Sequence, residues 1–146
     1  MRTPENVPIE EIIPHREPII MIDALLEVAP KRGVAAKKFR RQDYGVRGDR
    51  VCETALVECL AQTTTALLGY GNRQSPGEEG LGLLVGLSSF SFTRRPKLEE
   101  PLLIEACLGK SFEKIITVKG KVFAGEIGGE CIAGGEFKIY LKNEKG

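Results

Sequence analysis

Cys52-Glu-Thr-Ala-Leu-Val-Glu-Cys-Leu-Ala-Gln-Thr-Thr-Thr-Ala-Leu-Leu-Gly-Tyr70 is the longest stretch of helical pattern in the chain. Apolar side chains recur on almost every side of it, so the helix is expected to be buried rather than laid on a surface. At about 100° per residue, Thr54, Ala55, Glu58, Ala61, Gln62 and Thr65 fall on one stripe. That stripe is small and polar, while Leu56, Val57, Leu60, Leu67 and Leu68 cover much of the rest. A narrow cavity is expected beside Glu58. A carboxylate there bears a desolvation cost unless it is paired, hydrogen-bonded or protonated, the condition under which proteins tune acids and bases. The competing reading is a Glu in the first half of the helix, favoured by the helix dipole and satisfied by a backbone donor.

Outward from the helix, the order of elements matters more than any boundary. Upstream, residues 8–13 read as a short helix with Pro8 at its start and Pro14 as its stop. Residues 19–28 and 34–40 read as strands joined by the turn Pro30-Lys-Arg-Gly33, and residues 41–51 as an irregular polar loop. Downstream, residues 71–80 are rich in Gly, Ser and Pro, as in an exposed connection. Beyond that everything reads as strand: 81–93, 102–110, 114–124 and 130–141, with Phe90 and Phe92 on one face. Gly128-Gly129 is expected to turn the last hairpin, and Gly120, Gly134 and Gly135 to mark bulges or bends. Two strands, a buried helix and four strands in an antiparallel meander make an α+β domain. One sheet must then wrap one long helix.

The bulk numbers narrow the function classes. The chain of 146 residues reads as one domain, 1–146, with 21 Lys and Arg against 20 Asp and Glu. That balance argues against nucleic-acid binding and against a polybasic membrane patch. No apolar run has the length of a membrane span, and Met1-Arg-Thr-Pro-Glu-Asn6 lacks the order of a signal peptide, so a cytoplasmic protein is expected. Cys52, Cys59, Cys107 and Cys131 form no Cys-x-x-Cys pair and stand apart from the lone His15, so no metal is expected. Cys52 and Cys59 are separated by about 10 Å of helical rise, too far for a disulfide. Cys107 and Cys131 read as small core residues.

Three segments also carry a resemblance. Ile13-Pro14-His15-Arg16-Glu17-Pro18, running into Met21-Ile-Asp23, resembles an N-terminal His-Arg-x-Pro segment; Leu56-Val-Glu58-Cys-Leu-Ala-Gln62 is similar to a central-helix Glu-x-Leu/Met-Ala-Gln motif; Ser91-Phe92-Thr-Arg94-Arg95-Pro96 is similar to a Phe-x-Arg-Pro strand end. Together, in this order, they resemble the hot-dog fold and, within it, the beta-hydroxyacyl-acyl-carrier-protein dehydratases. The resemblance implies removal of water from a 3-hydroxyacyl thioester on phosphopantetheine, giving a trans-2-enoyl thioester without metal or diffusible cofactor. It implies a homo-oligomer built from dimers, with acyl carrier protein or acyl-coenzyme A as partner. A base takes the proton α to the thioester and an acid protonates the departing hydroxyl. A backbone N–H near the helix start polarises the carbonyl. Glu58 maps onto the family's carboxylate.

The family's base does not map. It is a His of a Gly-His-Phe-Pro loop, and the family's spacing back from Glu58 reaches Tyr44, within Tyr44-Gly45-Val46; Cys52-Glu53 likewise replaces the family's Pro-Gly at the helix start. Four readings follow. Glu58 works with Tyr44 or His15 in a divergent dehydratase. The chain is a non-catalytic or half-site subunit, completed in a heterodimer by a His-bearing dehydratase. Glu58 alone serves a thioesterase, activating water or attacking the thioester. The chain only binds acyl thioesters. The second reading accords with a similarity to dehydratase-like proteins of aryl-polyene and polyketide-type pathways, which also lack the Gly-His-Phe-Pro loop. Further candidates are Glu53 at the helix start, Gln62 to orient Glu58, Phe90 and Phe92 to line an acyl tunnel, and Arg94 and Arg95, with Lys97, to receive a carrier protein or its phosphate. Each has a plain structural alternative: core packing for the aromatics, a solvated strand end for the arginines.

Overall fold

The computed structural model describes residues 4–13, 16–17, 19–72 and 80–143. The predicted helix is α1 (Glu53–Asn72), preceded by β1 (Ala24–Ala29), β2 (Arg32–Lys37), β3 (Val46–Arg47) and β4 (Arg50–Val51). It is followed by β5 (Gly80–Phe92), β6 (Leu102–Phe112), β7 (Ile115–Ala124) and β8 (Glu130–Asn143). Six strands make one antiparallel sheet in the order β1-β2-β6-β7-β8-β5, while β3 and β4 pair only with each other. α1 packs against β1, β2, β5, β6 and β7, which is the hot-dog arrangement of a sheet around one helix.

Leu56, Cys59, Leu60 and Ala66 of α1 are fully buried against Ile104, Ala106, Val118, Val122 and Phe137 of the sheet. The approach is closest at Gly120, where a Cβ would stand 2.6 Å from Leu60 Cδ2 and 3.1 Å from Phe137 Cε1. The three threonines in the middle of the helix are also buried. Each hydroxyl donates to the carbonyl one turn back: Thr63 to Cys59 at 2.7 Å, Thr64 to Leu60 at 2.9 Å and Thr65 to Ala61 at 3.1 Å. That local bond removes the cost of burying an unpaired hydroxyl.

Several expectations need correction. The meander holds for β6-β7-β8 only, because β5 pairs with β8 at the far edge, for example Leu87 opposite Phe137. The connection between β5 and β6 contains Pro96 and Pro101 and is closed by the Arg94–Glu100 ion pair, so it cannot make a tight hairpin and carries the chain across the sheet. The first strand starts at Ala24 rather than near Ile19, since the backbone of Ile19 and Met21 is hydrogen-bonded to Gln62 instead of to a neighbouring strand. Residues 8–13 hold only a 3-10 turn at Ile9–Glu11; the segment between two prolines is too short to nucleate an α-helix.

The strand glycines do not mark bulges of their own strands: Gly120 pairs with Gly135 in regular register. They make room. Gly120 admits Leu60, and Gly135 faces a bulge in β5, where Ser89 turns to φ 53° and its carbonyl oxygen would lie 2.5 Å from any Cβ at Gly135. Cys107 and Cys131 are not core. Cys107 pairs with Arg32 and Lys119 on the outward face and is half-buried. A register shift between Val122 and Phe123 turns Ile132 inward and leaves Cys131 exposed.

Candidate active site

On the polar stripe of α1, Gln62 is wholly buried, and buried polar groups must be hydrogen-bonded. Its amide therefore finds three partners. Oε1 accepts from Met21 N at 2.8 Å, and Nε2 donates to Ile19 O at 2.9 Å and to Glu58 Oε1 at 3.0 Å. One side chain thus pins the N-terminal segment to the helix and orients the Glu58 carboxylate one turn away. Cys59 is sealed in beside it: burial pushes its thiol up to about 12, so it is not a thiolate nucleophile.

Glu58, half-buried, lies in an open pocket of about 560 Å³ lined also by Ile19, Met21, Tyr44, Arg47, Thr54 and Ala55. A cavity does lie beside the stripe, open rather than narrow, and the loop before α1 lines it too. Gly45 lets that loop touch the helix. It holds φ 89°, a Cβ there would meet the Ala55 Cβ at 2.9 Å, and its carbonyl accepts from Cys52 N at 2.8 Å.

The loop is anchored by a group that sequence reasoning missed. Lys37 is almost fully buried and reaches Asp43 Oδ2 at 3.2 Å and Asp23 Oδ1 at 3.6 Å, with its ammonium 4.8 Å from the centre of the Phe39 ring. Asp43 also accepts from Arg40 N at 2.9 Å, which closes the turn leading into Tyr44. The signal was in the alternation: Lys37 shares its strand parity with the fully buried Ala35 and Phe39, and an inward lysine demands acidic partners. The hairpin of β3 and β4 was also missed. Val46-Arg47-Gly48-Asp49-Arg50-Val51 places Gly-Asp between two Val/Arg pairs, a two-residue turn signal inside what reads as a polar loop.

The other candidates divide. Tyr44 shares the pocket with Glu58 and is well exposed. His15, the chain's one histidine, lies outside the described residues. Glu53 pairs with Arg95 at 3.1 Å, joining the end of β5 to the first turn of α1 beside the pocket. Phe90 and Phe92 pack on each other with centroids 5.2 Å apart against the core and do not line the pocket with Glu58. Arg94 forms two-pronged bonds with both Glu100 and Glu130 at 2.8–2.9 Å, so its guanidinium is committed within the fold. In return it holds the Glu100 carboxyl down at about 2. Among the described residues no cluster of His, Cys, Asp and Glu could hold a metal, and no helix is long and apolar enough to cross a membrane.

Comparison with known proteins agrees with this architecture. The chain is 34% identical over 131 residues to the 3-hydroxyacyl-[acyl-carrier-protein] dehydratase FabZ of Acetivibrio thermocellus, covering 82% of this chain and 88% of that one. It is 31% identical over 142 residues to the FabZ of Ralstonia nicotianae, covering 92% and 84%. Among solved structures, the dehydratase heterocomplex ApeI:P from Xenorhabdus doucetiae superposes with a TM-score of 0.78 at 18% identity, over 94% of this chain and 93% of that one. A hypothetical thioesterase with coenzyme A from Streptococcus pneumoniae superposes with 0.62 at 12% identity, over 82% and 84%. At such identities the structural likenesses speak to the fold. The model of the ApeP-like family, ApeP dehydratase, matches residues 7–145, nearly the whole chain, and the chain belongs to that family.

Proposed function

We propose that the chain is the carboxylate-bearing subunit of a 3-hydroxyacyl thioester dehydratase, completed by a hot-dog partner that brings the histidine. The observation that carries this reading is the Gln62-oriented Glu58 in an open pocket that it shares with Tyr44, the residue at the family's histidine position; none of the described lining residues is an imidazole. The partner's histidine takes the proton from the α carbon while Glu58 gives a proton to the β-hydroxyl as the C–O bond breaks. Water and a trans-2-enoyl thioester leave, and the α proton returns from imidazole to carboxylate through solvent. At the start of α1, where Ala55 N is already bonded to Cys52 O, the N–H groups of Glu53 and Thr54 are the donors for the developing enolate oxygen. No metal or diffusible cofactor enters this scheme; the substrate arrives on the phosphopantetheine of a carrier protein or of coenzyme A. The dehydratase names of the relatives and the heterocomplex among the structural neighbours support it.

The test is a product assay with a 3-hydroxyacyl thioester on carrier protein. The purified chain is assayed alone and with a His-bearing hot-dog dehydratase subunit, each also as Glu58→Gln. Enoyl thioester formed only by the mixture, and lost with Glu58→Gln, is the expected result. Enoyl product from the chain alone would return the base to Tyr44 or His15, and free thiol would make it a thioesterase.

A further inference from the structure

We infer that Arg47 and Arg50, on the two strands of the small β3–β4 hairpin, form a phosphate clamp at the mouth of the Glu58 pocket. This deepens the proposed function by locating where the carrier arm of the thioester is held. The two arginines are direct cross-strand partners in a ladder of only two residue pairs. Like charges placed opposite each other destabilise a strand pair, so the arrangement calls for an anion between or beside them. The protein does not supply it. Neither side chain makes an ion pair or hydrogen bond among the described residues, although Asp49 sits in the turn that joins them. Of the cations predicted to receive a carrier, both arginines are occupied by contrast, Arg94 by Glu100 and Glu130, and Arg95 by Glu53, which leaves only the exposed Lys97.

Position supports the same conclusion. Arg47 is exposed and lines the pocket that has Glu58 on its wall; the other described lining residues, Ile19, Met21, Val46 and Ala55 among them, carry no acidic or basic group. A ligand that suits this gradient is anionic at one end, neutral along its length and reactive at the other. The guanidinium pair attracts the anionic end with bonds that two-pronged phosphate contacts strengthen. A phosphorylated pantetheine arm has that form.

The experiment is direct binding to the full chain by calorimetry in phosphate-free, low-salt buffer, with 4′-phosphopantetheine and with pantetheine as probes. Arg47→Gln, Arg50→Gln and the double variant are compared with wild type, and Lys119→Gln on the outer sheet face serves as a charge-matched control. Wild type should favour the phosphorylated probe about tenfold, each single variant should lose part of that preference, and the double variant should bind both probes alike. The control should keep the full preference. Equal binding of both probes by wild type, a preference that survives the double variant, or an equal loss of pantetheine binding would each overturn the clamp. Coenzyme A as a third ligand identifies the carrier: a gain over phosphopantetheine that depends on Arg47 and Arg50 keeps the clamp and indicates a nucleotide carrier, and no gain keeps it for the phosphate common to both. Turnover plays no part, so failure of the dehydratase reading would show separately.

Discussion

Leu60 and Glu58 stand two residues apart on α1 and meet opposite surroundings. Leu60 presses on Gly120 and Phe137 of the sheet, where position is fixed by volume: any Cβ at Gly120 would overlap it. Glu58 faces a pocket and is bonded by the amide of Gln62, itself anchored to the backbone of Ile19 and Met21. The sheet side is tolerant of chemistry and intolerant of size, as close-packed interiors are. The pocket side is the reverse. A helix divided this way holds the Glu58 carboxylate in register without filling the pocket beside it.

Substitutions on the two sides should therefore fail differently. Glu58→Gln keeps size and can still bond Gln62, so it should leave thermal unfolding nearly unchanged while lowering turnover of the partnered protein about 10²–10⁴-fold. Leu60→Ala should do the opposite, costing about 3 kcal/mol in urea unfolding through the void left over Gly120, with the active fraction turning over normally. Gln62→Leu touches both sides of the comparison. It strands the buried Met21 N–H, at a cost of about 1–3 kcal/mol, and removes the Gln62 bonds to Ile19 and Glu58, so stability and turnover should fall together. If Gln62→Leu reduces only one of the two, the amide does not link the N-terminal segment to the site.

The smallest effect lies away from α1. Because Arg94 depresses the Glu100 carboxyl to about 2, the stabilisation from this pair is present above the unfolded carboxyl's range, near 4.5, and fades as pH falls towards 2. Wild type and Arg94→Met, unfolded by urea across that window, should converge as acid is added. Parallel curves would mean that Arg94 acts through packing alone.

How much of this was legible in the sequence follows the same division. α1 and the C-terminal strands could be read because hydrophobic period is a local signal, and the stripe around Glu58 led to the pocket. The place of β5 at the sheet edge could not, since it depends on a connection whose Arg94–Glu100 closure joins side chains six residues apart around two prolines. The Gln62 bonds to Ile19 and Met21 span more than forty residues, and no local pattern shows that an amide will replace a strand partner. Lys37 and the β3–β4 hairpin were accessible signals that a general expectation of polar loop concealed. The arginines of the Ser91–Pro96 motif drew attention by their sequence, yet their charge is spent internally on Glu53, Glu100 and Glu130.

The most direct test removes one carboxylate at a time from the proposed two-subunit dehydratase. The chain as wild type or Glu58→Gln is combined with a His-bearing partner that either keeps or lacks its own helix carboxylate, and enoyl thioester is followed. The account predicts that activity collapses with Glu58→Gln and survives loss of the partner's carboxylate, because the working site joins this chain's acid to the partner's base. Activity that follows the partner's carboxylate and ignores Glu58 would contradict it and reduce this chain to a supporting subunit.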